Sequence, residues 1–323
     1  MAELKNTPLR EFHIEMGAKM VPRSGWNLPL NFSEGAADEH EYCRTRAVLF
    51  DLCADGRFRI ASPGAAEKPG KLFYLGLDNL APGHCRRDWL VDKHGNAAAL
   101  CRVSCMAEND FFLTVPVECR SKAGELLSSA FPETADLSEY LGCIGISGPE
   151  SRHVLELCGL KEDELPLEDE TKILELDGLR AIISFAPETG ETGYEINFNA
   201  EYADQIWDLF LDTEIPWPAG LAARESLRIE KGIIGTSEIL LPRPASLTGS
   251  HIGQVIFEGR RAPFAGVRLF DPQNSESGQV TAGAYCPTLK SAAALVFFPG
   301  GKPAPGTVLH GNANGVEVTG TLQ

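Results

Sequence analysis

Beyond residue 245 the chain reads GVRLFD, GQVTAGAYC, AALVFF, GTVLHG and GVEVTGTL, short apolar runs parted by Gly, Pro and Asn. Runs this short are too brief for stable helices, and turn residues between them send the chain back antiparallel. The tail is therefore confined to a small antiparallel β-barrel or sandwich. Upstream, helical and strand periods are mixed. The fold class expected is α+β, with residues 1–245 forming the body and 246–323 a C-terminal β-barrel domain.

Within the body, Thr7-Pro8 reads as a helix start, and the apolar residues Leu9, Phe12, Ile14 and Met16 run to a stop at Gly17. A second helix from near Ser33 ends at AVLFDL, the beginning of a buried strand. FFLTVPV is a strand whose Pro116 places its end at an edge, and SKAGELLSSAF is a helix. IGIS then leads into Ser147-Gly148-Pro149-Glu150, a capping-box pattern ahead of SRHVLELCG. In ETGETGYEINFN, Tyr194, Ile196 and Phe198 alternate with polar residues, as in a half-buried strand. Apolar residues at 203, 206, 207 and 210 fall at helical spacing, and AARESLRIEKG is a further helix ending at Gly232.

The net charge of −16 excludes the basic footprint that nucleic acid requires, so no nucleic-acid partner is expected. No apolar run approaches the roughly 20 residues of a membrane span, so no membrane association is expected either. MAELKNTPLREF has no apolar core after a basic start, which argues against a secretory signal. The 9 cysteines include no CxxC pair. They read as buried, reduced thiols of a cytoplasmic protein, not as a zinc site or a disulfide framework. His94 and His40 read as a loop and a helix-surface histidine.

Several stretches together resemble the glycine-cleavage T-protein family of folate-dependent aminomethyltransferases. They are TPLREFHIEMGAKMVPRSGWNLPLNF with Glu39-His40 and AVLFDL, then ISGPES, ETGETGYEI, GLAARESLRIEKG and SGQVTAGAYCPTL. They occur in family order over nearly the whole chain. The resemblance implies two intertwined α+β subdomains around a central folate-binding channel, followed by the barrel. It implies transfer of a one-carbon unit to tetrahydrofolate, with a lipoyl carrier protein as partner.

By the same resemblance the acceptor of the pterin edge is Glu195 in TGETGYE, although the alternation there also permits a glutamate facing solvent. Arg224 in AARESLR would help hold the ligand, or pair with Glu225 or Glu230 on a helix surface. Val115 falls where the family backbone lines the pterin pocket, or is simply packed in its strand. The family's catalytic aspartate falls on Ala99 in HGNAAALCRV, with Leu100 in place of the second aspartate. No catalytic residue is therefore assigned. Alanine cannot hold a proton or stabilise a cation, and losing a positioned charge costs about two to three orders of magnitude in rate. Other departures accompany it. The SHM motif becomes Cys53-Ala54-Asp55, two family tyrosines become Arg87 and Glu188, and the segment after the arginine helix is shortened. Asp55, Asp88, Asp92 and Glu188 are the acids that could substitute. The expected function is a slow or altered folate-dependent one-carbon transferase, the alternative a non-catalytic folate-binding or scaffold protein. An iron–sulfur-maintenance role is disfavoured, because the reactive cysteine of its KGC motif is replaced in Lys231-Gly232-Ile233.

Overall fold

The structure is a computed structural model that describes residues 3–67, 72–239 and 251–323. The chain divides into two compact units, Met1–Leu221 and Ala222–Gln323. The expected boundary at 245/246 lies outside the described residues.

The strands of the first unit begin with β1 (Lys5–Asn6), β2 (Lys19–Arg23), β3 (Trp26–Asn31), β4 (Ala47–Asp51), β5 (Gly56–Ala61), β6 (Cys85–Val91) and β7 (Ala97–Ala107). They continue with β8 (Asp110–Val115), β9 (Ala135–Asp136), β10 (Leu141–Ser147), β11 (Thr171–Leu176), β12 (Leu179–Phe185), β13 (Gly193–Asn199) and β14 (Pro216–Pro218). The helices are α1 (Arg10–Glu15), α2 (Ala36–Thr45), α3 (Arg120–Ala130), α4 (Ser151–Leu157) and α5 (Ala203–Leu211).

Two large sheets dominate this unit. One runs β11-β12-β13-β10-β4-β14, the other β6-β7-β8-β5-β9, and a small sheet β1-β3-β2 accompanies them. Each large sheet buries one apolar face on its own core. Tyr194, Ile196 and Phe198 of β13 join Val154 and Leu155 of α4 and Ile206, Trp207 and Phe210 of α5. Val103 and Cys105 of β7 and Leu113 and Val115 of β8 join Ala123 and Leu127 of α3. Because side chains alternate along a strand, the remaining faces carry the intervening residues. Among them are polar residues of the two sheets that meet each other, Thr114 with Glu195 and Arg57 with Asn197.

Two local expectations fail for identifiable reasons. Thr7 does not cap α1: its hydroxyl donates to Asp51 Oδ2 at 2.6 Å, and the N-cap is Leu9. Ser147 forms no capping box, because its hydroxyl pairs with Thr189. The start of α4 is secured instead by Ser151, whose Oγ donates to the Gly148 carbonyl at 2.7 Å.

In the second unit, α6 (Leu221–Glu230) and α7 (Thr236–Ile239) precede β15 (Ile252–Phe257), β16 (Arg268–Phe270), β17 (Glu276–Cys286), β18 (Ser291–Phe297), β19 (Val308–Ala313) and β20 (Val316–Leu322). These six strands close into a barrel in the order β15-β18-β17-β16-β19-β20. Closure removes the unpaired edges an open sheet would expose. Val255, Leu269, Val280, Val296 and Leu309 are among the residues that fill it. Ile229 of α6 packs with Ala282, Cys286 and Leu295, which is why this helix belongs with the barrel.

Candidate functional site: a charged seam between two sheets

β13 is a central strand, paired with β10 on one side and β12 on the other. All its residues except Asn199 are buried, so the expectation of a half-buried strand is corrected. The reason is the second sheet, which covers the face carrying Glu195 and Asn197. Opposite them the registers align Arg57, Thr114, Arg102 and Arg87 in one row across β5, β8, β7 and β6. Three guanidinium groups and one hydroxyl thus confront a carboxylate and an amide.

Glu195 is 8% exposed. Its Oε2 accepts from Thr114 Oγ1 at 2.8 Å and lies 3.7 Å from Arg102 Nε. Arg102 also donates through Nη2 to Glu188 Oε1, on the loop between β12 and β13, and Arg87 Nε lies 3.5 Å from Glu188 Oε2. The result is a ladder of alternating charge, Arg87–Glu188–Arg102–Glu195. Although burial alone would lower its pKa, Glu188 and Glu195 push the Arg102 guanidinium further up, so it stays charged. Alongside, Arg57 Nε donates to Asn197 Oδ1 at 3.1 Å, and Ser104 and Ser184 hydroxyls lie 3.5 Å apart. A buried charge is tolerated only when paired and hydrogen-bonded, and this seam meets that condition.

The residues singled out in the sequence are distributed as follows. Glu195 lies on the seam and does not face solvent. Val115 points away from it, into the apolar core with Leu113 and Ala123, while its neighbour Thr114 reaches Glu195. Arg224 is half-buried on α6 in the second unit. The arginine most deeply held on that helix is Arg228, which pairs with Glu225 at 2.6 Å and with buried Glu238 at 3.0 Å. Ala99 is fully buried in the apolar cluster of Leu90, Cys101 and Val103. The face of β7 toward Glu195 carries Leu100, Arg102 and Ser104, and no carboxylate.

Three of the candidate substitute acids hold backbone amides: Asp55 accepts from Val117 N, Asp88 from Leu75 N and Trp89 N, and Asp92 from His94 N and Asn96 N. Burial raises the Asp88 carboxyl above the usual range. Glu188 is the exception and joins the ladder. His40, expected on the helix surface, is buried. All nine cysteines are buried and none forms a disulfide. Among the described residues no group of three or more His, Cys, Asp or Glu is placed to hold a metal, and no helix is long and apolar enough to cross a membrane.

Sequence reasoning missed Arg57, Arg102, Thr114 and Asn197. The signal was present in β7 as polar Arg102 and Ser104 alternating with Cys101, Val103 and Cys105. What alternation could not say is that the polar face would be buried.

Two donors on this seam have no hydrogen-bond partner among the described residues: Arg102 Nε and Asn197 Nδ2. Oε1 of Glu195 takes no hydrogen bond from the described residues, so the seam offers one acceptor oxygen beside two N–H donors. A flat heterocycle with an N–H beside a carbonyl, as a pterin has, could donate to that oxygen and accept from those N–H groups.

The architecture is one of two helix-backed sheets followed along the chain by a closed six-stranded barrel. The crystal structure of glycine cleavage system aminomethyltransferase T from Bartonella henselae shares this fold with a TM-score of 0.89, covering 99% of this chain and 97% of that one at 24% identity. The chain belongs to the family described as GCVT N-terminal domain, whose model matches residues 9–238. The mitochondrial aminomethyltransferase of Dictyostelium discoideum is 27% identical, over 99% of this chain and 91% of its own length. An aminomethyltransferase of Desulforamulus reducens is 26% identical, over 90% of this chain and 88% of its own.

Proposed function

We propose that this chain is a tetrahydrofolate-dependent one-carbon transferase that takes an aminomethyl group from a lipoyl carrier protein and works slowly. The observation that carries the reading is Glu195, a buried carboxylate whose Oε2 accepts from Thr114 and whose Oε1 takes no hydrogen bond from the described residues. Tetrahydrofolate supplies the nitrogen that takes up the one-carbon unit. Glu195 accepts the paired N–H groups of the pterin edge, contacts worth about 1.5–3 kcal/mol each when charge-assisted. Asn197 Nδ2 is the donor beside it, and the family resemblance suggests the Val115 backbone as a secondary ligand contact. With Ala99 and Leu100 where the family carries two aspartates, rate acceleration comes from holding the reactants together. Turnover is expected about two to three orders of magnitude below that of a relative with the acid in place. Nine buried cysteines, none of them in a disulfide, support a reducing, cytoplasmic setting.

The test joins two measurements. Calorimetric titration with tetrahydrofolate should show binding by the native chain and loss of about tenfold or more in Glu195→Gln. Ammonia release from aminomethylated lipoyl carrier protein should be detectable and slow. Equal binding by Glu195→Gln removes the anchor from this reading, and turnover at the rate of an aspartate-containing relative removes the claim of slowness.

A further inference from the structure

The charged ladder contains a side chain with no evident part in building the fold. Arg102 projects from the centre of a strand into the seam with only 6% of its side chain exposed, and it touches two carboxylates on different segments. An aliphatic residue would fill the same space between the sheets without the cost of burying a charge. We propose that Arg102 is a positioning residue for Glu195, holding Oε2 so that Oε1 is the oxygen offered to a ligand edge bearing adjacent N–H donors.

The geometry supplies the parts. A glutamate has three rotatable side-chain bonds, and a carboxylate held by a single hydroxyl can still turn about that contact. Thr114 and Arg102 are register partners on β8 and β7, so Oε2 is held by the Thr114 hydroxyl and faces the Arg102 cation from the neighbouring strand. Glu188 fixes the far end of the guanidinium through Nη2. Nε, which has no hydrogen-bond partner among the described residues, lies 3.7 Å from Oε2, beyond ordinary hydrogen-bond distance. A donor-bearing edge at Oε1 is compatible with this arrangement. An anionic edge is not, because Oε1 is the open end of a carboxylate and like charges repel. At Oε1 the site thus favours an edge that donates N–H over one that presents an anionic oxygen.

This inference rests on the reading of Glu195 as the ligand anchor, and the experiment separates the two. Tetrahydrofolate is titrated calorimetrically into the full-length chain and into Glu195→Gln, Arg102→Met, Arg102→Lys and Glu188→Gln. Expected is a loss of about tenfold in Arg102→Met, as the cation 3.7 Å from Oε2 is removed. Arg102→Lys should recover part of that loss, because a cation returns at the same place. Glu188→Gln should weaken binding several-fold with little change in melting temperature, since that side chain is a quarter exposed on a loop. Native affinity in Arg102→Met, with binding lost in Glu195→Gln, overturns the role of Arg102 and leaves the anchor standing. Native affinity in Glu195→Gln overturns both. If Arg102→Met fails to fold, Glu188→Gln decides: an affinity equal to that of the native chain refutes the positioning role.

Discussion

Asp51 shows how much a single buried residue carries. Its carboxylate is fully enclosed, with His13 Nε2 at 2.8 Å, the Thr7 hydroxyl at 2.6 Å and the Cys53 amide at 2.8 Å. Burial pushes its pKa up, but the hydrogen bond and charge of His13, with Thr7 and Cys53, hold it below the ordinary aspartate value. A carboxyl depressed in the folded state contributes stability above its unfolded pKa of about 3.9, and loses it as pH falls through the lower folded value. Asp51→Asn should therefore cost about 3–5 kcal/mol at pH 7 in urea unfolding. The gap from the native chain should narrow near pH 3; a gap that stays constant would refute the account. The thiols give a second check at this scale. Burial raises Cys143 and Cys158 to about 12, and Cys43, Cys85 and Cys119 to about 11. Because the thiolate is the reactive form, a disulfide-exchange reagent at pH 8 should leave these five unmodified in the folded chain and label them in urea. Rapid labelling of several of them without denaturant would contradict their burial.

At the scale of the element, β7 separates two faces whose chemistry differs. Ala99, Cys101, Val103 and Cys105 enter the apolar cluster, while Arg102 and Ser104 enter the seam, and Leu100 shares their face by the two-residue period. Restoring an acid by Ala99→Asp, the exchange the sequence suggests, would thus drive a carboxylate into hydrocarbon at a cost of several kcal/mol. Leu100→Asp would instead place it two residues from Arg102, on the charged face. Thermal unfolding should show a larger drop for Ala99→Asp than for Leu100→Asp, and any gain in one-carbon transfer should appear in Leu100→Asp. A turnover gain confined to Ala99→Asp would reverse this assignment. A glycine controls another element. Gly148, between β10 and α4, has φ of 134°, and a Cβ there would lie 2.3 Å from the Arg46 carbonyl oxygen. The turn after Ser147 thus depends on a missing side chain, where the sequence suggested a capping side chain.

For the whole molecule, the acidic balance is the property that reaches furthest. A net charge of −16 repels polyanions over distances longer than any single contact. Duplex DNA should show no anisotropy change with the protein at micromolar concentration and about 0.1 M salt, and saturable binding there would refute this expectation. At the same scale the limits of sequence reading become visible. Tyr194, Ile196 and Phe198 revealed a strand, and positions 203, 206, 207 and 210 revealed the buried stripe of α5, because each period is a local consequence of backbone geometry. The barrel tail was legible in its spacing of turns, and the resemblance marked Glu195. Sequence alone thus determined several of the elements, the buried stripe of α5 and the acidic balance. The tertiary structure decided that the polar face of β13 is buried, that Thr114 and Arg102 bracket Glu195 across 81 and 93 residues of chain, and that Glu188 joins them. A period says which side chains share a face; only the packing of one sheet on another says what that face meets.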